Sequence, residues 1–100
     1  MSDILLTLLC PPSLEEKLID HLLVASGTLV FTSTTTAAHG LSTSELNPVE
    51  QVMGRARAVQ LQLIMDKQEC MGLLDTIHEL FPKTGLRFWT SDIIVSGELA

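Results

Sequence analysis

The spacing of apolar residues changes repeatedly along this chain, and each change marks an element. Ile4–Cys10 (ILLTLLC) is apolar on both alternating faces and is stopped by Pro11-Pro12, which predicts a buried strand. Ser13 and Glu16 then form an S-x-x-E capping box ahead of Leu14, Leu18, Ile19, Leu22 and Leu23, so a helix is expected over 13–26, stopped by Gly27. Thr28–Thr36 is rich in β-branched residues and reads as a second strand. Residues 37–57 hold two glycines, a proline and Ser/Thr clusters without a sustained period, which predicts a long functional loop with one helical turn over 47–53. Val59, Leu61, Leu63 and Met65 alternate with Gln60, Gln62 and Ile64 in a third strand. Asp66, with Glu69 three residues on, caps a second helix whose stripe is Cys70, Leu73, Leu74, Ile77, Leu80 and Phe81; Pro82 and Gly85 end it. Leu86–Val95 closes the chain as a fourth strand.

The order β-α-β-β-α-β predicts an α+β ferredoxin-like sandwich, two helices on one face of a four-stranded antiparallel sheet, as a single domain over residues 1–100. Helices cover only one face in that arrangement, yet the first strand is apolar on both and the last contains Ile93-Ile94-Val95. The uncovered face is therefore expected to be buried by self-association.

Composition sharpens this reading. One hundred residues make one core, and 46% apolar residues with a mean hydropathy of +0.35 are too many for a disordered chain and many for a small monomer. A net charge of −6 excludes nonspecific nucleic-acid binding, which needs clustered cations, and disfavours an acidic membrane surface. Cys10 and Cys70 have no C-x-x-C spacing and read as buried thiols in a reducing cytoplasm. Asp3 ahead of Ile4–Leu9 and the large Leu9 before Cys10 do not fit a lipoprotein signal, and no apolar run reaches the roughly 20 residues of a spanning helix, so direct membrane insertion is not expected.

Four of the six basic residues, Arg55, Arg57, Lys83 and Arg87, fall at the same end of this topology. Neighbouring cations in an acidic chain suit an anionic ligand or an acidic partner, though solvation as loop charges, or pairing with Glu45, Glu50 and Glu79, accounts for them equally well. His39 in the loop and Cys10 at the end of the first strand are the candidate ligands of a copper or zinc ion, without a diagnostic spacing. No nucleophile elbow, P-loop, zincin or dinucleotide motif occurs, so a noncatalytic protein is expected.

The pattern His39-Gly40, Pro48-x-Glu50-Gln51-Val52-x-Gly54-Arg55-x-Arg57, Phe88-Trp89 and Ser96-Gly97-Glu98-Leu99 resembles a family of short PII-like proteins of unassigned function, a distant branch of the PII/CutA superfamily. The resemblance implies a homotrimer with its sheets facing the central axis. It also implies a ligand, an adenine nucleotide or a divalent metal, at clefts between subunits near the loop joining strands two and three. His39, Gly40, Gly54, Arg55, Arg57, Lys83 and Arg87 are the corresponding ligand-binding candidates, and the short Pro82–Gly85 segment departs from the longer one of PII proteins. Members of this branch resemble companions of heavy-metal efflux transporters, which implies a transporter as protein partner. The alternative implied by the same resemblance is a CutA-like metal-binding protein in metal tolerance.

Overall fold

The computed structural model describes residues 3–26, 30–40 and 55–99. Strand β1 (Asp3–Cys10) is followed by a 3-10 turn (Pro12–Leu14) and helix α1 (Glu15–Ser26); β2 (Phe31–His39) and β3 (Arg55–Asp66) come next, then helix α2 (Lys67–Leu80) and β4 (Arg87–Asp92). All neighbouring strands are antiparallel, in the order β2-β3-β1-β4. The chain has the expected ferredoxin-like architecture.

Register explains the core. Ile4, Leu6, Leu8 and Cys10 lie opposite Met65, Leu63, Leu61 and Val59, so the two central strands present eight apolar side chains to one face. Leu18 and Leu22 of α1 and Cys70, Leu73 and Ile77 of α2 close over them. Asp66 accepts from the backbone N–H of Gln68 at 3.0 Å and of Glu69 at 3.4 Å, satisfying two free donors at the start of α2 as the capping pattern predicts.

Several expectations are corrected. The Ser13–Glu16 capping box does not form: Pro11-Pro12 favour a 3-10 turn in which Leu14 N–H donates to the Pro11 carbonyl at 3.0 Å, and α1 begins only at Glu15. β2 runs to His39 and β3 starts at Arg55, so Ala37–His39 and Arg55–Arg57 are ladder residues, not loop. Their connection is 40–54, and the helical turn expected over 47–53, like Gly54, lies outside the described residues. β4 ends at Asp92, leaving Ile94 and Val95 exposed beyond it. Leu23 and Leu80, placed on helical core stripes, are exposed because the helices cover mainly the two central strands.

The face away from the helices is more polar than expected. Leu5 and Leu9 of β1 are half-buried there, and Thr7 between them is buried, flanked in register by Gln62 and Trp89. Gln62 Nε2 donates to Thr7 Oγ1 at 3.4 Å. On the outer strand β2, Thr32, Thr34 and Thr36 occupy this face.

The turn leading into β4 stores strain. Lys83 has φ +57 and Gly85 φ +76; the first is a left-handed conformation that L side chains resist. Relief of that strain outweighs the added chain entropy of glycine, so Lys83→Gly is expected to stabilise the fold by about 0.5 kcal/mol, read as a rise of about 2–4 °C in Tm.

Candidate functional site

The cationic candidates gather at one end of the sheet, where β1 ends, β4 begins and the β2–β3 hairpin runs on alone. β1 pairs with β3 only as far as Cys10 opposite Val59; Pro11 and Pro12 then carry the chain into the 3-10 turn. Residues Arg55–Ala58 therefore continue as a two-stranded ribbon with Thr36–His39. His39 lies opposite Arg55, and Ala37 opposite Arg57.

Strand alternation sorts these residues by face. Arg57 shares the helix-bearing face with Val59 and Leu61, and His39 shares it across the ribbon. Arg87 lies opposite Leu9, beside Trp89's column, on the other face. Lys83 sits in the turn after α2. These candidates thus share an end of the sheet but not one surface: His39 and Arg57 lie on the helix-bearing face and Arg87 on the other.

Gly40 leaves the ribbon at φ +82 with open space where a Cβ would stand, so backbone conformation and not crowding makes glycine suitable there. Ala38, Ala56 and Ala58 are buried on the face opposite Arg57, with Leu9 packed against them.

Cys10 and His39 are not brought together within one chain. Cys10 is level with Val59 and Thr35, and His39 lies four residues further along β2 and two strands across. That is about 13 Å along the strand and about 10 Å across it. Cys10 faces the core, and burial, with Glu15's charge second, pushes its thiol up to about 11; burial also raises Cys70. Metal ligation uses the thiolate, so this environment disfavours it. Among the described residues no group of three His, Cys, Asp or Glu side chains is placed to hold a metal ion.

One feature had no signal in the sequence beyond a helical position. His21 of α1 stands edge-on to Phe81, ring centroids 6.4 Å apart, and its Nε2 is buried without a hydrogen-bond partner among the described residues. It borders a cleft of about 1070 Å³ at the opposite end of the sheet, which Val30, Phe31, Ile64 and Leu73 also line.

A family model described as "Protein of unknown function (DUF3240)" matches residues 1–100. The chain belongs to that family. A crystal structure of a DUF3240 family protein from Shewanella baltica superposes with a TM-score of 0.78 at 15% identity, covering 100% of this chain and 99% of that one. CutA1 from Pyrococcus horikoshii gives 0.72 at 17% identity, over 95% and 87% of the two chains. A PII-like signalling protein from Thermus thermophilus gives 0.62 at 18% identity, over 93% and 91%. No functionally curated protein matches the sequence. This DUF3240 chain therefore has the PII/CutA-like fold, as its sequence resemblance implied. Among the described residues no helix is long and apolar enough to cross a membrane.

Proposed function

We propose that this DUF3240 protein is a noncatalytic, homotrimeric, PII-like regulator. It binds a small anionic ligand of the adenine-nucleotide class between subunits and signals to a protein partner, a membrane transporter, through the connection between β2 and β3. The observation that carries the reading is the β2–β3 ribbon. In a chain of net charge −6, its ladder carries His39, Arg55 and Arg57 within two residues of its end, a local concentration of basic residues that suits an anion. Lys83 and Arg87 enter the same reading as contributions to a cleft completed by a neighbouring subunit. A ligand that binds one arrangement of the connection better than another shifts the population of that arrangement, which is all a sensor of this type requires.

The likeness to CutA1 supports a second reading, a copper- or zinc-binding protein of metal tolerance, with His39 and, less readily, the buried Cys10 as ligands. Native mass spectrometry of the protein alone, with ATP, and with Zn²⁺ or Cu²⁺ separates the two. The regulatory reading expects a trimer that gains nucleotide mass, and Arg57→Ala weakens that uptake by about tenfold or more, as loss of a charged hydrogen bond does. Uptake of metal alone, abolished by His39→Ala and indifferent to Arg57→Ala, would establish the CutA-like reading instead. A trimer that takes up neither overturns both ligand assignments, and a monomer overturns the assembly.

A further inference from the structure

The cleft at the end of the sheet opposite the cationic ribbon forms where β2 falls short of β3. The β2 ladder begins with Phe31 opposite Leu63, so Ile64 and Met65 of β3 have no ladder partner from β2, and both line the cleft of about 1070 Å³. Phe31 and Leu73 extend its apolar wall, and Gly72 and Thr76 border it from α2. Sites for small molecules commonly combine such an apolar wall with a few polar groups that orient the ligand.

The polar groups of this cleft are mostly acceptors. Ser96 Oγ donates to Asp3 Oδ2 at 3.1 Å, Thr76 Oγ1 donates to the Gly72 carbonyl at 3.1 Å, and Gln62 Nε2 donates to Thr7 Oγ1 at 3.4 Å. A hydroxyl has one proton, so Ser96 and Thr76 have already committed theirs and offer a ligand only lone pairs. Asp3 and Glu69 add two carboxylates, which when ionised accept and never donate. Among the described residues the Glu69 carboxylate engages no other group, and no Lys or Arg lines the cleft. Asp66, directly opposite Asp3 in register, puts a third carboxylate at this end, held in the α2 cap. Acceptors and negative charge beside an apolar wall suit a ligand that is positive, rich in donors and partly apolar. A protonated primary amine brings three donors on one charge, and its hydrogen bonds to carboxylates are of the strong, charge-assisted kind.

We propose that this cleft binds an organic cation, a protonated amine on an apolar body, with the ammonium held by Glu69 and the acceptors around it and the body lying on Phe31, Ile64 and Leu73. The site is opposite in charge and in position to the anion site at the ribbon, so neither reading depends on the other.

A ¹H–¹⁵N NMR titration of the full chain with three probes of similar shape tests it: tryptamine, a cation; tryptophol, its neutral alcohol counterpart; and indole-3-propionate, an anion. Tryptamine is expected to shift the amides of Gly72, Leu73 and Thr76 and to bind about tenfold or more tighter than tryptophol, as a charged hydrogen bond does, with indole-3-propionate the weakest. Glu69→Gln is expected to remove most of that advantage. Gly72→Leu is expected to fill the cleft and abolish tryptamine binding in a folded protein, since a Cβ there meets no atom within 4 Å and leucine favours a helix over glycine. Equal binding of tryptamine and tryptophol, or tighter binding of indole-3-propionate, overturns the cation assignment. Tryptamine binding that Gly72→Leu leaves intact overturns the cleft as its place, and no shift with any probe up to about 10 mM overturns the site.

Discussion

Leu61→Ala is expected to lower the unfolding free energy by about 3 kcal/mol, within the roughly 2–5 kcal/mol span of buried leucine truncations. Leu61 is fully buried on β3, opposite Leu8 on one side and Ser33 on the other, at the centre of the cluster that joins the sheet to both helices. The substitution removes buried methyl groups and leaves a cavity that antiparallel strands pinned on both sides cannot close. Against a typical stability of about 5–15 kcal/mol, such a loss is a large fraction of the total. Denaturant titration at a protein concentration where the oligomeric state is known checks it. Leu61→Met, which conserves volume, should cost less than about 1.5 kcal/mol, and equal losses for the two variants would refute a cavity origin.

The same alternation that makes Leu61 sensitive made the fold legible. Val59, Leu61, Leu63 and Met65 face one side in sequence and in the structure, and their partners in β1 follow from antiparallel register. Asp66 and Glu69 announced the start of α2 because the cap is a local interaction, complete within four residues. The corrections share an opposite cause. Ser13 and Glu16 had capping chemistry, but Pro11-Pro12 restricted the backbone into a 3-10 turn before the helix began. Ala37–His39 and Arg55–Arg57 carry no strong strand signature alone; they are strands because each pairs with the other, a nonlocal choice that a window of sequence does not contain. Ile93-Ile94-Val95 read as the end of the last strand because of composition, and composition does not fix where a strand's ladder stops.

The candidate site was legible to the same extent. Placing Arg55, Arg57, Lys83 and Arg87 at one end required only the order of strands. Separating Arg57 from Arg87 required the face of each residue, which the uncertain strand boundaries hid: once β3 begins at Arg55, alternation from Val59 puts Arg57 on the helix-bearing face, and Leu9's pairing puts Arg87 on the other. His21's unpartnered nitrogen depends on what the helix packs against, and no spacing in the sequence encodes that.

Alkaline pH is expected to destabilise the protein through Cys10. Its thiol ionises near 9.0 in an unfolded chain and near 11 in the fold, where it is buried and Glu15 lies close enough to oppose a second negative charge. The thiol's contribution is fully retained below about pH 9. As pH rises through 9 to 11 the unfolded chain releases the proton that the folded chain keeps, so stability falls, by about 2–3 kcal/mol once both states are ionised. Denaturant titrations between pH 8 and 11 on wild type and Cys10→Ala isolate the effect: the alanine cavity costs the same at every pH, whereas only wild type carries the extra slope. Cys70, whose thiol burial also raises, is common to both and cancels. Parallel profiles would show that the thiol is not held in a dry environment. The slope bears on function as well, because the energy that keeps Cys10 protonated opposes its use as a thiolate ligand. A metal bound at neutral pH through Cys10 would have to overcome that cost and open the core that Cys10 helps to fill. His39, exposed on the ribbon beyond the core, meets neither obstacle.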